Sequence, residues 1–351
     1  MAKFTQKVPI PSYLLAVAVG ALQSREIGPR SLVWAEPELL DRAAFDFSET
    51  ESMLRVAEEL AGPYVWGRYD ILVLPPFFPW NGMENPCLTF VAPTLLSGDK
   101  ANAFVIAHEI AHSWTGNLVT IKNMEHFWLN EGLDTFLHRK ILGRLRGELT
   151  RHFEHELWWT KTEESIQSNN INIFRNRLSS LVTNLTGVDP EKAITWVPYE
   201  KGSAFLWFLE EAVGGPDKFD PFLRSYIEEF ANKSVDSEDF KSHFQKYFRS
   251  TTMKKKIRWR CWLYGRGLPA KPDFNASLAL EARRLAEAWQ SWDLGKPLTV
   301  QEDFKRLTSS QQQEFLSTLL KSGPLPAAKG GLQKKKRIGI FQILAFFFFP
   351  L

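Results

Sequence analysis

Phe104-Val105-Ile106-Ala107-His108-Glu109-Ile110-Ala111-His112-Ser113-Trp114 places two histidines four positions apart, with a glutamate directly after the first. Residues four apart on a helix lie on one face, so both imidazoles can reach one ion while Glu109, one step round, faces a water held on it. Phe104, Val105, Ile106, Ala107, Ile110, Ala111 and Trp114 make the helix apolar nearly all round, which predicts burial. Buried imidazoles and carboxylates need partners, and a metal ion supplies one.

Working outward, Asn130-Glu131-Gly132 opens the next predicted helix, over 130–145. A glutamate there completes a two-histidine, one-carboxylate donor set that leaves the fourth position to water, the arrangement of catalytic zinc. The expected cofactor is one Zn2+ per chain, held by His108, His112 and Glu131. Helical periodicity continues beyond this core, predicting helices over 99–115, 148–167, 199–212, 217–230 and 237–248. Upstream the pattern is strand-like over 13–22, 31–34 and 69–74, with one helix over 48–60 that Ser48 and Glu51 would open as a capping box. Residues 71–91 read as two edge-forming strands separated by a bend at Asn81-Gly82. Strands first and helices after them predict an α+β domain. Gly265, Gly267, Pro269 and Pro272 mark a linker, beyond which 278–292 and 309–320 are amphipathic helices of a second, helical unit.

Composition narrows the classes. A hydrophobic share of 44% and a charged share of 24% in 351 residues are those of a folded globular chain. A net charge of +3 is too small to mark a nucleic-acid-binding surface. Cys87 and Cys261 form neither a disulfide framework nor a thiolate metal site, which fits a reducing cytoplasm. Lys3 and Lys7 before the apolar run 13–22 imitate a secretory signal, but Pro9, Pro11 and Gly20 suit a buried strand entered from a turn. No apolar stretch reaches the ~20 residues of a membrane-spanning helix. Lys334 to Arg337 followed by the apolar run 338–351 reads as an aberrant tail outside the folded domain, a basic-plus-apolar membrane anchor being the alternative.

Four segments together, Gly82-Met83-Glu84-Asn85-Pro86, His108 to His112, Trp128 to Gly132 and Pro198-Tyr199-Glu200-Lys201-Gly202, resemble the M1 zinc aminopeptidases, above all the leukotriene A4 hydrolase and aminopeptidase B branch. The resemblance implies a thermolysin-like zinc peptidase domain over 23–263, preceded by a remnant of a β domain over 1–22. A linker over 264–275, a partial all-α domain over 276–326 and the tail over 327–351 would follow. It implies peptide substrates with a free N-terminus. Glu84 would meet the substrate's α-ammonium, with Gly82, Met83 and Asn85 forming the rest of that motif; an ammonium suits a carboxylate. Tyr199 would stabilise the oxyanion, as a phenol donor can, while Glu109 takes the water's proton. His126 and His138 have no ligand spacing and read as surface or core residues.

Two departures qualify the implied activity. Asn81 stands where the family's motif has a first glycine, a mild change because asparagine tolerates left-handed backbone. Glu191 and Ile194 stand where the lipid epoxide hydrolase uses an aspartate and a tyrosine, so that activity is not expected here. Incomplete flanking domains would leave apolar surface open to self-association. A non-catalytic isoform that binds zinc or partners is the alternative of a different class.

Overall fold

The computed structural model describes residues 5–168, 178–249, 257–290 and 300–322. Its chain divides into two compact units, 1–273 and 274–351.

In the first unit a five-stranded sheet runs in the order β1 (Gln23–Gly28), β2 (Ser31–Ala35), β3 (Asp70–Val73), β5 (Leu88–Val91), β4 (Gly82–Met83). β2, β3 and β5 are parallel to one another, while β1 and β4 close the two sides antiparallel. β3 is buried at all four positions, its apolar run Ile71-Leu72-Val73 covered on both faces. Asp70, at its start, accepts hydrogen bonds from the Leu32 N–H at 2.9 Å and the Trp34 indole at 3.1 Å, tying β2 to β3. The expectation that 71–91 forms two edge strands is therefore corrected: β3 and β5 are interior, and the edge is the two-residue β4.

The early helices are α1 (Leu40–Asp46) and α2 (Thr50–Ala61). The expected capping box at Ser48 does not form. Its hydroxyl donates back to the Phe45 carbonyl at 2.9 Å, and Glu51 turns to Arg30 and Arg55 instead. The expected strand over 13–22 is also absent. Ser12–Leu14 is a single 3-10 turn, and Leu15, Val17 and Val19 stand exposed with no strand beside them among the described residues.

Helices then dominate: α3 (Ala103–Ala111), α4 (Trp128–Arg146), α5 (Glu148–Ser168), α6 (Trp196–Val213), α7 (Pro216–Phe230), α8 (Ser237–Tyr247) and the short α9 (Trp259–Tyr264). Between α3 and α4, β6 (Val119–Ile121) pairs in parallel with β7 (Lys233–Val235). α4 is buried from Trp128 to Gly143, charged residues included. Arg139 forks onto both oxygens of Glu200 at 2.9 and 2.8 Å, and Lys140 pairs with Glu210 and Asp220, so these charges enter the core already matched. Gly132 of α4 lies against Gly202 of α6, where a Cβ on either would come within 2.8 Å of the other's Cα. Glycine at both positions lets the two backbones touch.

Among the described residues of the second unit, α10 (Ser277–Gln290), α11 (Val300–Arg306) and α12 (Ser309–Lys321) pack around Ala282, Ala286, Phe304, Phe315 and Leu319. Thr308 and Gln311 form the capping box that starts α12. The expected tail over 327–351 lies outside the described residues.

Candidate active site

α3 carries His108 and Glu109, and His112 follows as its last helical-geometry residue. Gly116, at φ +134°, then turns the chain away; a Cβ there would sit 3.1 Å from His112 Nδ1. α4 brings Glu131 opposite. His108 Nε2 and His112 Nε2 lie 3.5 and 3.4 Å from Glu131 Oε2. Bonds of about 2.0–2.1 Å to a tetrahedral zinc give donor separations of about 3.3 Å, so both imidazole nitrogens already stand about as far from the carboxylate oxygen as such a site needs, and all three donors lie within 4.8 Å of one another. Glu131 Oε2 is buried and without a hydrogen-bond partner in this arrangement, which a cation would satisfy. The residues present thus fit the ion that the sequence implies, with His108, His112 and Glu131 as a group able to hold it.

The far nitrogens are also engaged. His112 Nδ1 is 2.9 Å from the Thr115 carbonyl, and His108 Nδ1 touches Asp134 Oδ2. A proton on each Nδ1 leaves the Nε2 lone pairs facing Glu131. Electrostatics point the same way. Burial works to lower both imidazoliums, yet Asp134, Glu131 and other nearby carboxylates outweigh it, holding His108 up to about 10 and His112 well above its ordinary value. A pocket that favours protons so strongly favours a dication for the same reason.

Glu109 is 5% exposed, and burial pushes its carboxyl up to about 8 against the opposing pull of His108 and His112. It packs on β4 so closely that a Cβ on Gly82 would overlap its carboxyl group. Next along the edge is Glu84, whose carbonyl accepts from Asn117 Nδ2 at 2.8 Å. Burial raises the Glu84 carboxyl, with His112 opposing. Tyr199, in the first turn of α6, lays its ring over His108 at 6.0 Å between centroids and 21° between planes, flanked edge-on by Phe127 and Trp196. Burial, then Glu131 and Glu84, hold its phenol far above its ordinary range, so it remains a donor.

A cleft of about 900 Å³ joins these groups. Gly82, Met83, Glu84, His108, Glu109, His112, Glu131 and Tyr199 all line it; Asn85 does not, being buried behind the turn. Glu191 and Ile194 are in its wall. His126 lies apart, 2.9 Å from the Ser237 hydroxyl, and His138 is a core residue, though one beside His108. Sequence reading missed Asp134. Its signal was the three-residue step from Glu131, which sets both carboxylates on one face of α4.

Two imidazoles and a carboxylate close enough to hold an ion, with a second glutamate lining the same cleft, form the kind of donor set that metal-dependent hydrolases use. The peptidase family M1 domain matches residues 45–262, and the chain belongs to that family. It is 48% identical to leukotriene A4 hydrolase of Xenopus laevis over 93% of its length and 54% of that protein's. It is 43% identical to leucine aminopeptidase 2 of Neosartorya fischeri, over 91% and 52%. The solved leukotriene A4 hydrolase of Saccharomyces cerevisiae superposes with a TM-score of 0.85 at 40% identity, over 93% and 53%. The M1 zinc metallopeptidase of Deinococcus radiodurans, at 24% identity and a TM-score of 0.61 over 78% of this chain and 58% of that one, shares the fold. The chain spans about half the length of the relatives it matches.

Proposed function

We propose that this chain is a zinc-dependent aminopeptidase that removes N-terminal residues from short peptides, with His108, His112 and Glu131 holding the metal. The observation that carries the reading is the approach of His108 Nε2 and His112 Nε2 to within 3.5 and 3.4 Å of Glu131 Oε2, beside Glu109 in one cleft. Bound zinc supplies an acidified water and polarises the scissile carbonyl. Glu109 takes the attacking water's proton on its carboxylate and delivers it to the leaving amine; a pKa lifted towards neutrality suits both transfers. Tyr199 donates its phenolic hydrogen to the carbonyl oxygen as charge builds there. Glu84 meets the substrate's α-ammonium, with Gly82 and Met83 presenting edge-strand backbone to the peptide. Asn85 holds the turn, its N–H bonding the Met83 carbonyl at 3.0 Å.

The lipid epoxide reading finds no support in Ile194, which brings an apolar wall where a hydroxyl would be needed. The catalytic domain is assigned to 23–263 and the helical unit to 276–326. Free thiols at Cys87 and Cys261 support a cytoplasmic setting, and the small net charge supports independence from nucleic acid. No described helix is long and apolar enough to cross a membrane. Self-association through Leu15, Val17 and Val19 is a further reading, checked by sedimentation.

Release of arylamine from amino-acyl arylamides, abolished by chelator and restored by zinc, is the expected result. One bound zinc with no turnover of arylamides or tripeptides would favour the non-catalytic alternative.

A further inference from the structure

We infer that Asp134 is the positioning residue for both metal-binding histidines, a single carboxylate that spans them from behind. This rests on the metal site proposed above. Asp134 is fully buried in α4. Its Oδ2 touches His108 Nδ1, and its Oδ1 lies 3.5 Å from His112 Nδ1. Neither oxygen makes a well-aligned hydrogen bond to any group, and its ion-pair contacts within 4 Å are to the imidazoles of His108, His112 and, at 3.8 Å, His138. Glu131, Asp134 and His138 are spaced three and four along the helix and share one face, so α4 supplies a ligand and the support for two other ligands from one stripe.

The chemistry is asymmetric. His112 has a second anchor in the Thr115 carbonyl, whereas the alternative for His108 is His138, whose Nδ1 lies 3.3 Å from His108 Nδ1 and 3.8 Å from Asp134 Oδ2. For His108 to present Nε2, its Nδ1 must carry the proton and needs an acceptor. A carboxylate is a stronger acceptor than an imidazole nitrogen. Asp134 therefore takes that proton's hydrogen bond, and His138 packs its ring edge-on against His108 at 5.3 Å between centroids, fixing the ring plane. His108, Asp134 and His138 are also close enough to hold an ion themselves. With an ion already on Nε2, that would require His108 to ligate through both nitrogens, losing both ring protons, a far costlier state than one hydrogen bond to Asp134.

The test is zinc affinity by chelator competition on the full chain for wild type, Asp134→Asn, Asp134→Ala and Glu131→Gln. The metal-free melting midpoint and the visible spectrum of the cobalt-substituted protein are read alongside. Asp134→Asn keeps an acceptor but not the charge. It is expected to weaken zinc about 10-fold and Asp134→Ala about 100-fold, with altered cobalt bands, because partners behind metal-bound histidines typically carry that much affinity. Wild type binding one zinc, Glu131→Gln losing it and both Asp134 variants binding like wild type would overturn this inference and leave the site intact. Two zinc ions in wild type and one in Asp134→Asn would make Asp134 a ligand and overturn it too. No zinc in wild type would sink the site and this inference together.

Discussion

Gly132, next to Glu131, and Gly202, three residues after Tyr199, form the point where α4 and α6 touch backbone to backbone. Two segments that a sequence presents as separate signatures are thus one packing device. The contact sets how far Tyr199 on α6 stands from Glu131 on α4. Gly202→Ala would place a Cβ 2.8 Å from the Gly132 Cα, and neither backbone can yield without moving its helix. The expected cost is about 1–3 kcal/mol of stability, the usual range for overpacking. Thermal unfolding measures it, and turnover should fall further than zinc content as Tyr199 shifts from His108. An unchanged midpoint would mean that the helices separate freely.

Gly82 plays the same part at the sheet edge. Gly82→Ala would drive a methyl into the Glu109 carboxyl, which would have to swing away within the cleft it lines. Catalytic efficiency is expected to drop about 100-fold, since misplacing a catalytic group by about 1 Å costs that much. Zinc content should hold. Parallel loss of zinc and rate would show that the methyl displaces ligands rather than the base.

Glu109 and Glu131 are both buried glutamates of one cleft, and their roles separate on substitution. Glu109→Gln should keep one zinc per chain and lose about 10²–10⁴-fold in turnover, the worth of a general base. Glu131→Gln should lose the metal. Metal analysis and arylamide hydrolysis on the same samples distinguish them; a metal-free Glu109→Gln would reverse the assignment.

The grouping of His108 with His112 was legible because helical periodicity is local. The four-residue spacing of His108 and His112 turns directly into a shared helix face, and only Glu131 needed a tertiary step. Long helices such as α5 and α7 followed their periodicity to within a residue or two. What escaped depended on partners far along the chain. Asp134 looks like any helical carboxylate until folding buries it behind His108. Ser48 satisfied a local capping pattern, yet its hydroxyl had a competing acceptor in Phe45. The run 13–22 has strand composition but no neighbouring strand among the described residues, and pairing, not propensity, makes a strand. The roles of Gly82, Gly132 and Gly202 are contacts across space, invisible to spacing.

Lys201, between Tyr199 and Gly202, points away from the cleft into a cage of three carbonyls. Its ammonium donates to Ser179 at 3.0 Å, Gly265 at 2.6 Å and Gly267 at 2.8 Å, fastening two loops to the start of α6. Lys201→Met keeps the length and leaves three acceptors without their donor. Charged hydrogen bonds of this kind carry roughly 1.5–3 kcal/mol each before the loops relax, so a loss of about 3 kcal/mol is expected in urea unfolding. Lys201→Arg should recover part of it. A methionine variant as stable as wild type would show that water replaces the ammonium.

His155 makes the fold sensitive to acid. It is buried on α5 with its Nδ1 3.1 Å from Arg139 Nη1, an arrangement in which the guanidinium donates and the imidazole must stay neutral. Burial first, then Arg139 and Arg151, hold it well below its ordinary 6.5, and His138 is likewise pushed down to about 3, chiefly by burial. In the unfolded chain both take up a proton near pH 6.5, whereas the folded chain refuses it. The unfolded state therefore binds more protons below that pH, and stability falls as the solution is acidified, by about 1.4 kcal/mol per pH unit for each such histidine. Urea midpoints at pH 7, 6 and 5 should show the decline. His155→Gln, whose amide oxygen can still accept from Arg139, should flatten the slope below pH 6 by one histidine's share. Parallel profiles for the two proteins would mean that the folded state accommodates a charged His155 between two arginines, contrary to the electrostatics of the site.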